Sequence, residues 1–335
     1  MSDNNLLSIL TREGVLVKVS ISYWRGHKKL RPEDLGLDSK TVSDRLISLG
    51  HKRLLPKEAL ADLALVEGRA HALIEGNTFP FLNGIAHFLP NAKLDEVLGK
   101  LNALKEEFWE AKAKFLARYS SLRASASEEW RTMANDLVKD PERLVGTIEA
   151  SFPYPNQMDR FYAFDLAVFQ LAVPQKLAAE LVEVADHQAI VKARQRAARE
   201  ATAKIHSGVE SFVADCVSAL REQTAQLCED MLSSINNSET GVHQKTLNRL
   251  VNFIDQFKQM NFVNDEEMER ELEQVKKQLL TKTAQEYRDN ATARNRLKQG
   301  LSQLANQARE MSKQDASELV QRFGELGHRR FALAA

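Results

Sequence analysis

After Pro174 this chain contains no further proline to its end at residue 335, and much of that stretch carries an apolar residue every three or four positions. Proline is the residue that an α-helix interior tolerates least, at about 3 kcal/mol, so its absence permits very long helices. The spacing uses that permission. Leu297, Leu301, Leu304, Ala308 and Met311 follow steps of four and three, which is a heptad seam. Met268, Leu272, Val275 and Leu279 repeat the rule upstream, and Val209, Phe212, Cys216, Leu220, Leu227 and Met231 supply a facing stretch. Long helices of this kind span a distance, scaffold or lever.

The rear half, residues 174–335, is therefore expected to form a long antiparallel, coiled-coil-like helical hairpin. Two loops divide it, Asn236–Gly241 and Asn261–Asp265, and a short helix over 243–261 sits between them at the tip. The arms, near 175–235 and 265–323, would each measure about 90 Å if straight. Gly208 and Gly300 interrupt the arms and mark either a close approach of the two helices or two solvent-facing positions. Pairing of the arms within one chain, or between two copies in a homo-oligomer, is open at this level.

Seven of the eight prolines precede residue 156, so the front is compact and turn-rich. Val15, Val17, Val19, Ile21 and Tyr23 alternate with Leu16, Lys18, Ser20 and Ser22, which predicts a strand over 14–24. Phe81-Leu82-Asn83-Gly84-Ile85-Ala86 places Asn-Gly between apolar runs and predicts a hairpin over 79–89. Helices are expected over Ser39–Ile47 and Lys57–Glu75. Together, residues 1–90 read as a small α+β region with a short antiparallel sheet. Residues 91–173 read as a helical region packed on it, opened by Asn91 as a cap. Its long helix carries Leu94, Val97, Leu101, Leu104, Phe108 and Phe115, and shorter helices follow over Ser127–Val138 and Pro141–Ala150. Phe161 to Phe169 reads as a further short apolar helix. The fold class is mainly α.

Composition narrows the function classes. Apolar residues make up 43% and charged residues 27%, the balance of a globular protein, and the net charge is zero. No global field therefore recruits nucleic acid or an anionic membrane. The most apolar window, Ala163 to Val173, is half a membrane span and is interrupted by Asp165 and Gln170. With no basic region and apolar run at the start, the expectation is a cytoplasmic protein that does not enter a membrane. Cys216 and Cys228 lie roughly 18 Å apart along a helix, too far for a disulfide, and read as small core residues.

Phosphate-loop, dinucleotide, His-Glu-x-x-His, Cys-x-x-Cys and EF-hand patterns are absent. Glu183 with His187, and Glu67 with His71, have helical spacing, but a metal needs a third ligand and a solvated ion pair explains each. The expectation is a protein that is not an enzyme and carries no cofactor. Charge is patterned instead. Lys192, Arg194, Arg196 and Arg199 on the first arm, with Arg294, Arg296 and Lys298 on the second, form a basic belt. It is either a candidate phosphate-binding surface or a solvated face. Asp265 to Glu273 carries a local charge of −5, and Glu266, Glu267, Glu269 and Glu271 are candidate partner contacts there. In the front region Trp24 adjoins Arg25, Lys28, Lys29 and Arg31, either as an exposed recognition surface or with Trp24 closing the core and the cations facing water.

Several front-half segments resemble the bacterial DUF3150 family of proteins of unknown function. They are Ser20-Ile21-Ser22-Tyr23-Trp24-Arg25-Gly26-His27-Lys28-Lys29-Leu30-Arg31-Pro32, Ser48-Leu49-Gly50-His51-Lys52-Arg53, the Asn83-Gly84 hairpin, and Leu104 to Tyr119 with its Phe108-Trp109 pair. The resemblance covers roughly residues 13–175. It implies a protein of plasmids, integrative elements or phages, encoded near a MoxR-type AAA+ ATPase and a von Willebrand A-type protein. It transfers no catalytic residues. The expected function is a non-enzymatic adaptor or scaffold for such a remodelling system. The alternative is a nucleic-acid-binding protein of a mobile element that uses the basic belt.

Overall fold

A computed structural model describes residues 10–37, 48–81, 84–170, 188–237 and 241–314, with the side chains of 188–207 outside the description except Arg196. The helix expected over Ser39–Ile47 and Asn83 of the expected turn therefore lie outside the described residues. In chain order the elements are β1 (Gly14–Ser22), β2 (His27–Lys29), β3 (His51–Arg53), α1 (Ala61–Asn77), β4 (Phe79–Phe81), β5 (Ala86–Pro90), α2 (Asn91–Leu137), α3 (Pro141–Ser151) and β6 (Ala163–Phe169). The helices α4 (Gln188–Asn237), α5 (Gln244–Met260), α6 (Glu266–Leu279), α7 (Ala284–Asp289) and α8 (Ala291–Ser312) follow. The fold is mainly helical. Its larger sheet has the order β4-β5-β1-β6, and β2 and β3 form a separate two-stranded ribbon.

The period-two pattern of β1 holds from Val17 onward, with Lys18, Ser20 and Ser22 exposed and Val19 and Ile21 half-buried, whereas Leu16, expected on the polar side, is buried. Gly14 to Val17 pair antiparallel with Pro90 to His87, and Phe79 and Phe81 of β4 pair with Phe88 and Ala86 of β5. Asp140 accepts from the Arg143 amide and Pro141 opens α3, so that helix starts where its capping signal stands.

Two expected features of the 91–173 region differ. The expected helix over Ser127–Val138 is not separate from the long one, because α2 continues unbroken from Asn91 to Leu137. No glycine or proline lies between Gly99 and α3, so no strong helix breaker interrupts that stretch. Phe161 to Phe169 is not a helix. Its first residue closes a 3-10 turn and Ala163–Phe169 is a strand. A short apolar run has no periodicity strong enough to choose, and pairing beside β1 supplies backbone hydrogen bonds that decide for the strand.

Two compact units are present, and they interleave along the chain because β1 and α2 each give residues to both. The front unit comprises Lys18–Gly76 and Glu96–Ala167. Its core is aromatic: Trp24, at 6% exposure, packs on Phe115, Tyr119 and Phe152 with ring centroids 5.8–6.2 Å apart. Val97, Leu101, Leu104, Phe108 and Phe115 form the buried stripe of α2, as the spacing predicts. Tyr119 extends that stripe and donates to the Pro153 carbonyl at 2.7 Å.

The helical unit comprises Met1–Val17, Asn77–Asp95 and Val168–Ala335. Phe79, Phe81 and Phe88 surround Phe212 of α4, and Phe262 closes the cluster. Both heptad seams are buried, as are Cys216 and Cys228. Burial pushes the Cys228 thiol up to about 12 and raises Cys216 as well, the behaviour of inert core thiols. The expected second arm, 265–323, is not one helix. Residues 280–283 and Asn290 separate α6, α7 and α8. Thr283 forms a capping box with Glu286, Asn290 accepts from the Ala293 amide, and the Tyr287 hydroxyl donates to the Leu279 carbonyl. These polar groups give the backbone partners that outweigh the helix continuity allowed by a proline-free sequence. The helix α8 lies antiparallel to α4, with Ser218 donating to the Ser312 carbonyl and Arg309 reaching Glu229 at 2.8 Å. Gly300 marks a close approach, but to α6 rather than to the first arm: a Cβ there would land on the Leu279 side chain.

Candidate functional site

Two short sequences in the front unit are near copies of each other. Gly26-His27-Lys28-Lys29-Leu30 and Gly50-His51-Lys52-Arg53-Leu54 differ only at Lys29 against Arg53. The structure pairs them antiparallel, His27 with Arg53, Lys28 with Lys52 and Lys29 with His51. The hydrogen bonds that close the two ends match: the Leu54 amide donates to the Gly26 carbonyl at 2.7 Å, and the Leu30 amide to the Gly50 carbonyl at 3.0 Å. Both glycines have positive φ, 63° and 76°, so each copy enters its strand through the same left-handed turn. The ribbon is thus built as a local pseudo-two-fold.

Alternation along a strand puts His27, Lys29, His51 and Arg53 on one face, and all four are exposed. The other face is asymmetric. Lys28 is exposed, whereas Lys52 is buried in an ion pair with Asp34 at 2.8 Å. Trp130 donates its indole hydrogen to the Arg53 carbonyl at 2.9 Å and anchors the second strand to α2. His27 and His51 meet edge to face with centroids 5.0 Å apart. The His27 Nδ1 lies 3.2 Å from the Arg25 carbonyl; a carbonyl only accepts, so Nδ1 carries the hydrogen and Nε2 is left for a ligand.

Beside this face is a cleft of about 410 Å³. Leu55, Leu60, Ala64 and Gly26 give it an apolar floor, and the cations Arg25, Arg53 and Lys57, with the His27 and His51 rings, give it a polar wall. Arg25 is held in place: its guanidinium makes bidentate bonds to Glu67 at 2.6 and 2.7 Å and lies 3.9 Å over the Tyr23 ring. Tyr23 donates to the same carboxylate at 3.2 Å. The hydrogen bonds from Arg25 hold the Glu67 carboxyl below its ordinary value of 4.5, against the opposing effect of burial, and burial foremost raises Tyr23. Glu67, expected to pair with His71, is thus a buttress for Arg25. Among the described residues Arg53 and Lys57 join no ion pair, so the wall carries two uncompensated cations.

The sign of the Glu67 linkage is testable. A depressed carboxyl contributes stability that is present above its unfolded value of 4.5 and is lost as pH falls through the lower folded value. Glu67→Gln should cost up to about 1 kcal/mol at pH 7, the range of a partly exposed ion pair. Urea unfolding of both proteins at pH 7 and pH 3 should show that difference shrinking in acid.

The other candidate residues are distributed as follows. Trp24 is in the core and offers no recognition surface, since its ring is the hub of the aromatic cluster. Arg25 lines the cleft, Lys28 and Lys29 lie on the ribbon, and Arg31 is exposed at the turn before Pro32. Of the acidic run, Asp265 is buried, Glu269 accepts from Asn261 at 3.1 Å, and Glu273 pairs with Lys258 at 2.5 Å. Glu266 is exposed and accepts from Asn264, while Glu267 and Glu271 are half-buried on α6. Much of that charge is therefore engaged within the protein. Of the basic belt, the side chains of Lys192, Arg194 and Arg199 lie outside the described residues, and Arg196 and Arg296 are exposed. Lys298 is half-buried, and Arg294 turns its guanidinium to the Arg288 carbonyl at 3.4 Å.

Sequence reasoning missed His27, His51, Arg53, Lys57 and Glu67 as parts of one site. The signal was available in the repeated Gly-His-Lys-x-Leu, which pairs two segments far apart in the chain. It also missed Arg221, which is fully buried in the helical unit. Its Nε meets the Asp265 carboxylate at 2.7 Å, and its Nη1 donates to the Met311 carbonyl and to Gln314, each at 2.7 Å. No spacing pattern marks it, because the helix seam places it among Leu220 and Thr224 as a polar interruption. Among the described residues no cluster of three metal-ligating side chains occurs. No described helix is long and apolar enough to cross a membrane.

The profile of the family described as Protein of unknown function (DUF3150) matches residues 11–288, most of the chain. No curated protein matches, and no solved structure does.

Proposed function

We propose that this chain, which belongs to the DUF3150 family, is a non-enzymatic adaptor that engages an acidic partner surface through the exposed face of its β2–β3 ribbon. One observation carries the reading: His27, Lys29, His51 and Arg53 share one face, and the opposite face is anchored by the Lys52–Asp34 pair. A rigid scaffold presenting like charges favours fast, oriented association with a surface of opposite sign. The acidic start of α6 supports this role less well, because Asp265, Glu269 and Glu273 are tied to groups of their own unit. We read α4 and α8 as the arms of the coiled-coil-like hairpin that gives the adaptor its reach. The family resemblance makes a MoxR-type AAA+ ATPase or a von Willebrand A-type protein the partner to test first, in the cytoplasm of a cell that carries a mobile element.

The nucleic-acid reading has one specific support in the same ribbon, since a two-stranded ribbon fits a DNA major groove. Sedimentation of the purified chain with a MoxR-type AAA+ ATPase and with a von Willebrand A-type protein separates the two. The expected result is a complex that weakens with salt and loses about tenfold in affinity in Lys29→Glu plus Arg53→Glu. Absence of a complex with either protein, together with tight duplex binding that the same variant abolishes, would replace the adaptor by a nucleic-acid-binding protein.

A further inference from the structure

We infer that the cleft beside the ribbon binds a phosphomonoester, the dianionic phosphoryl group against the polar wall and its organic body on the apolar floor. The inference rests on the reading of the front unit as a binding module and gives its cleft a ligand class. Size comes first. A volume of about 410 Å³ falls in the range of small-molecule sites, about 300–1,000 Å³.

Charge selects the head group. Glu67 neutralises Arg25 with two hydrogen bonds and so fixes its guanidinium as a wall of set geometry. Arg53 and Lys57 contribute two positive charges with no described counter-ion, which matches a group of charge near −2. A carboxylate or a phosphodiester brings only one negative charge and leaves one cation uncompensated. His27 adds a directed donor or acceptor at Nε2, because its Nδ1 is committed to the Arg25 carbonyl. Forked guanidinium and ammonium donors suit the several oxygens of a phosphoryl group.

The floor selects the body. Leu55 and Leu60 present side-chain carbon, and Gly26 holds the wall close: its φ of 63° is left-handed, and a Cβ there would stand 3.2 Å from Leu60 Cδ1. Ala64 is exposed on α1, so the opening is limited by the smallest side chain that a helix surface offers. A flat or aliphatic body attached to phosphate therefore has a place, which free phosphate would leave unfilled.

Phenyl phosphate is the probe, titrated into the full chain by calorimetry and by histidine ring NMR shifts. Saturable binding is expected, about tenfold tighter than inorganic phosphate and about tenfold tighter than phenyl sulfate, whose head group is a monoanion. Lys57→Glu and Ala64→Leu each change an exposed position and should leave the fold intact by circular dichroism. Each should weaken phenyl phosphate at least about tenfold, the first by charge and the second by filling the opening. A nucleoside monophosphate and a phosphoserine peptide, titrated in parallel, identify which kind of body the floor prefers. Absence of saturation, equal affinity for phenyl sulfate, or indifference to both variants would overturn the inference. If the complex with the ATPase or A-type protein forms while phenyl phosphate does not bind, the ligand assignment fails and the adaptor stands. Phosphate binding without any complex removes the adaptor and leaves the cleft.

Discussion

Asp265→Ala is expected to destabilise the helical unit by about 3–5 kcal/mol, because it leaves the fully buried Arg221 guanidinium without its counter-charge. Asp265 has two duties. Its carboxylate receives Arg221 at 2.7 Å, and its other oxygen caps α6 by accepting from the Met268 amide. Asn261 steadies the same turn by accepting from the Asp265 amide at 2.7 Å. Arg221 also donates at 2.7 Å to the Met311 carbonyl in the last turn of α8, which the Gln314 amide reaches only at 3.4 Å. One side chain on α4 thus binds the start of α6 and the end of α8. Arg221→Met should cost less than Asp265→Ala, since it leaves a carboxylate that still caps a helix and removes the larger desolvated ion. The pair Arg221→Met with Asp265→Asn should recover part of the loss while retaining a cap. Chemical unfolding of the wild type, Arg221→Met, Asp265→Asn and their combination closes the cycle that measures the coupling. A loss below about 1 kcal/mol for Asp265→Ala would mean that the guanidinium reaches water.

Trp24→Ala should be nearly as costly, about 3–5 kcal/mol, in the front unit. The ring touches Phe115 and Tyr119 from α2 and Phe152 beyond α3, so its removal opens a cavity between elements with no common flexible segment to collapse. Trp24→Phe should lose much less. Neither substitution should alter partner association of the protein that remains folded, because no atom of the ring belongs to the ribbon face. A loss of association without a loss of stability in Trp24→Phe would return the residue to the recognition surface.

The contrast between Trp24 and its neighbours shows how far local pattern reaches. A basic cluster beside a tryptophan is visible in the chain, and so is the strand that leads into it. Whether the indole faces water depends on Phe115, Tyr119 and Phe152, which no local window contains. Arg25 presents the same problem in reverse: it reads as a free cation and is held by Glu67 of α1. The acidic run before α6 is legible as charge, but Arg221, which decides the role of its first member, lies on another helix. The Gly-His-Lys-x-Leu repeat was legible too, since two like segments with left-handed entry glycines are apt to pair.

The sequence by itself determined the mainly helical class, the strand β1, the β4–β5 hairpin, the cap and proline at the start of α3, and the buried seams of the rear. Each follows from a local rule: alternation, a glycine of positive φ between apolar runs, a side chain that satisfies an end amide, or a repeat of three and four. Tertiary structure alone decided that Ala163–Phe169 is a strand and that α6, α7 and α8 are separate helices. It also decided that Arg53, Lys57 and two histidines surround one cleft. The physical reason is common to these cases. Backbone hydrogen bonds and buried charges find partners wherever the chain returns in space, and the energy of those partners exceeds the small differences in local propensity that a sequence pattern records.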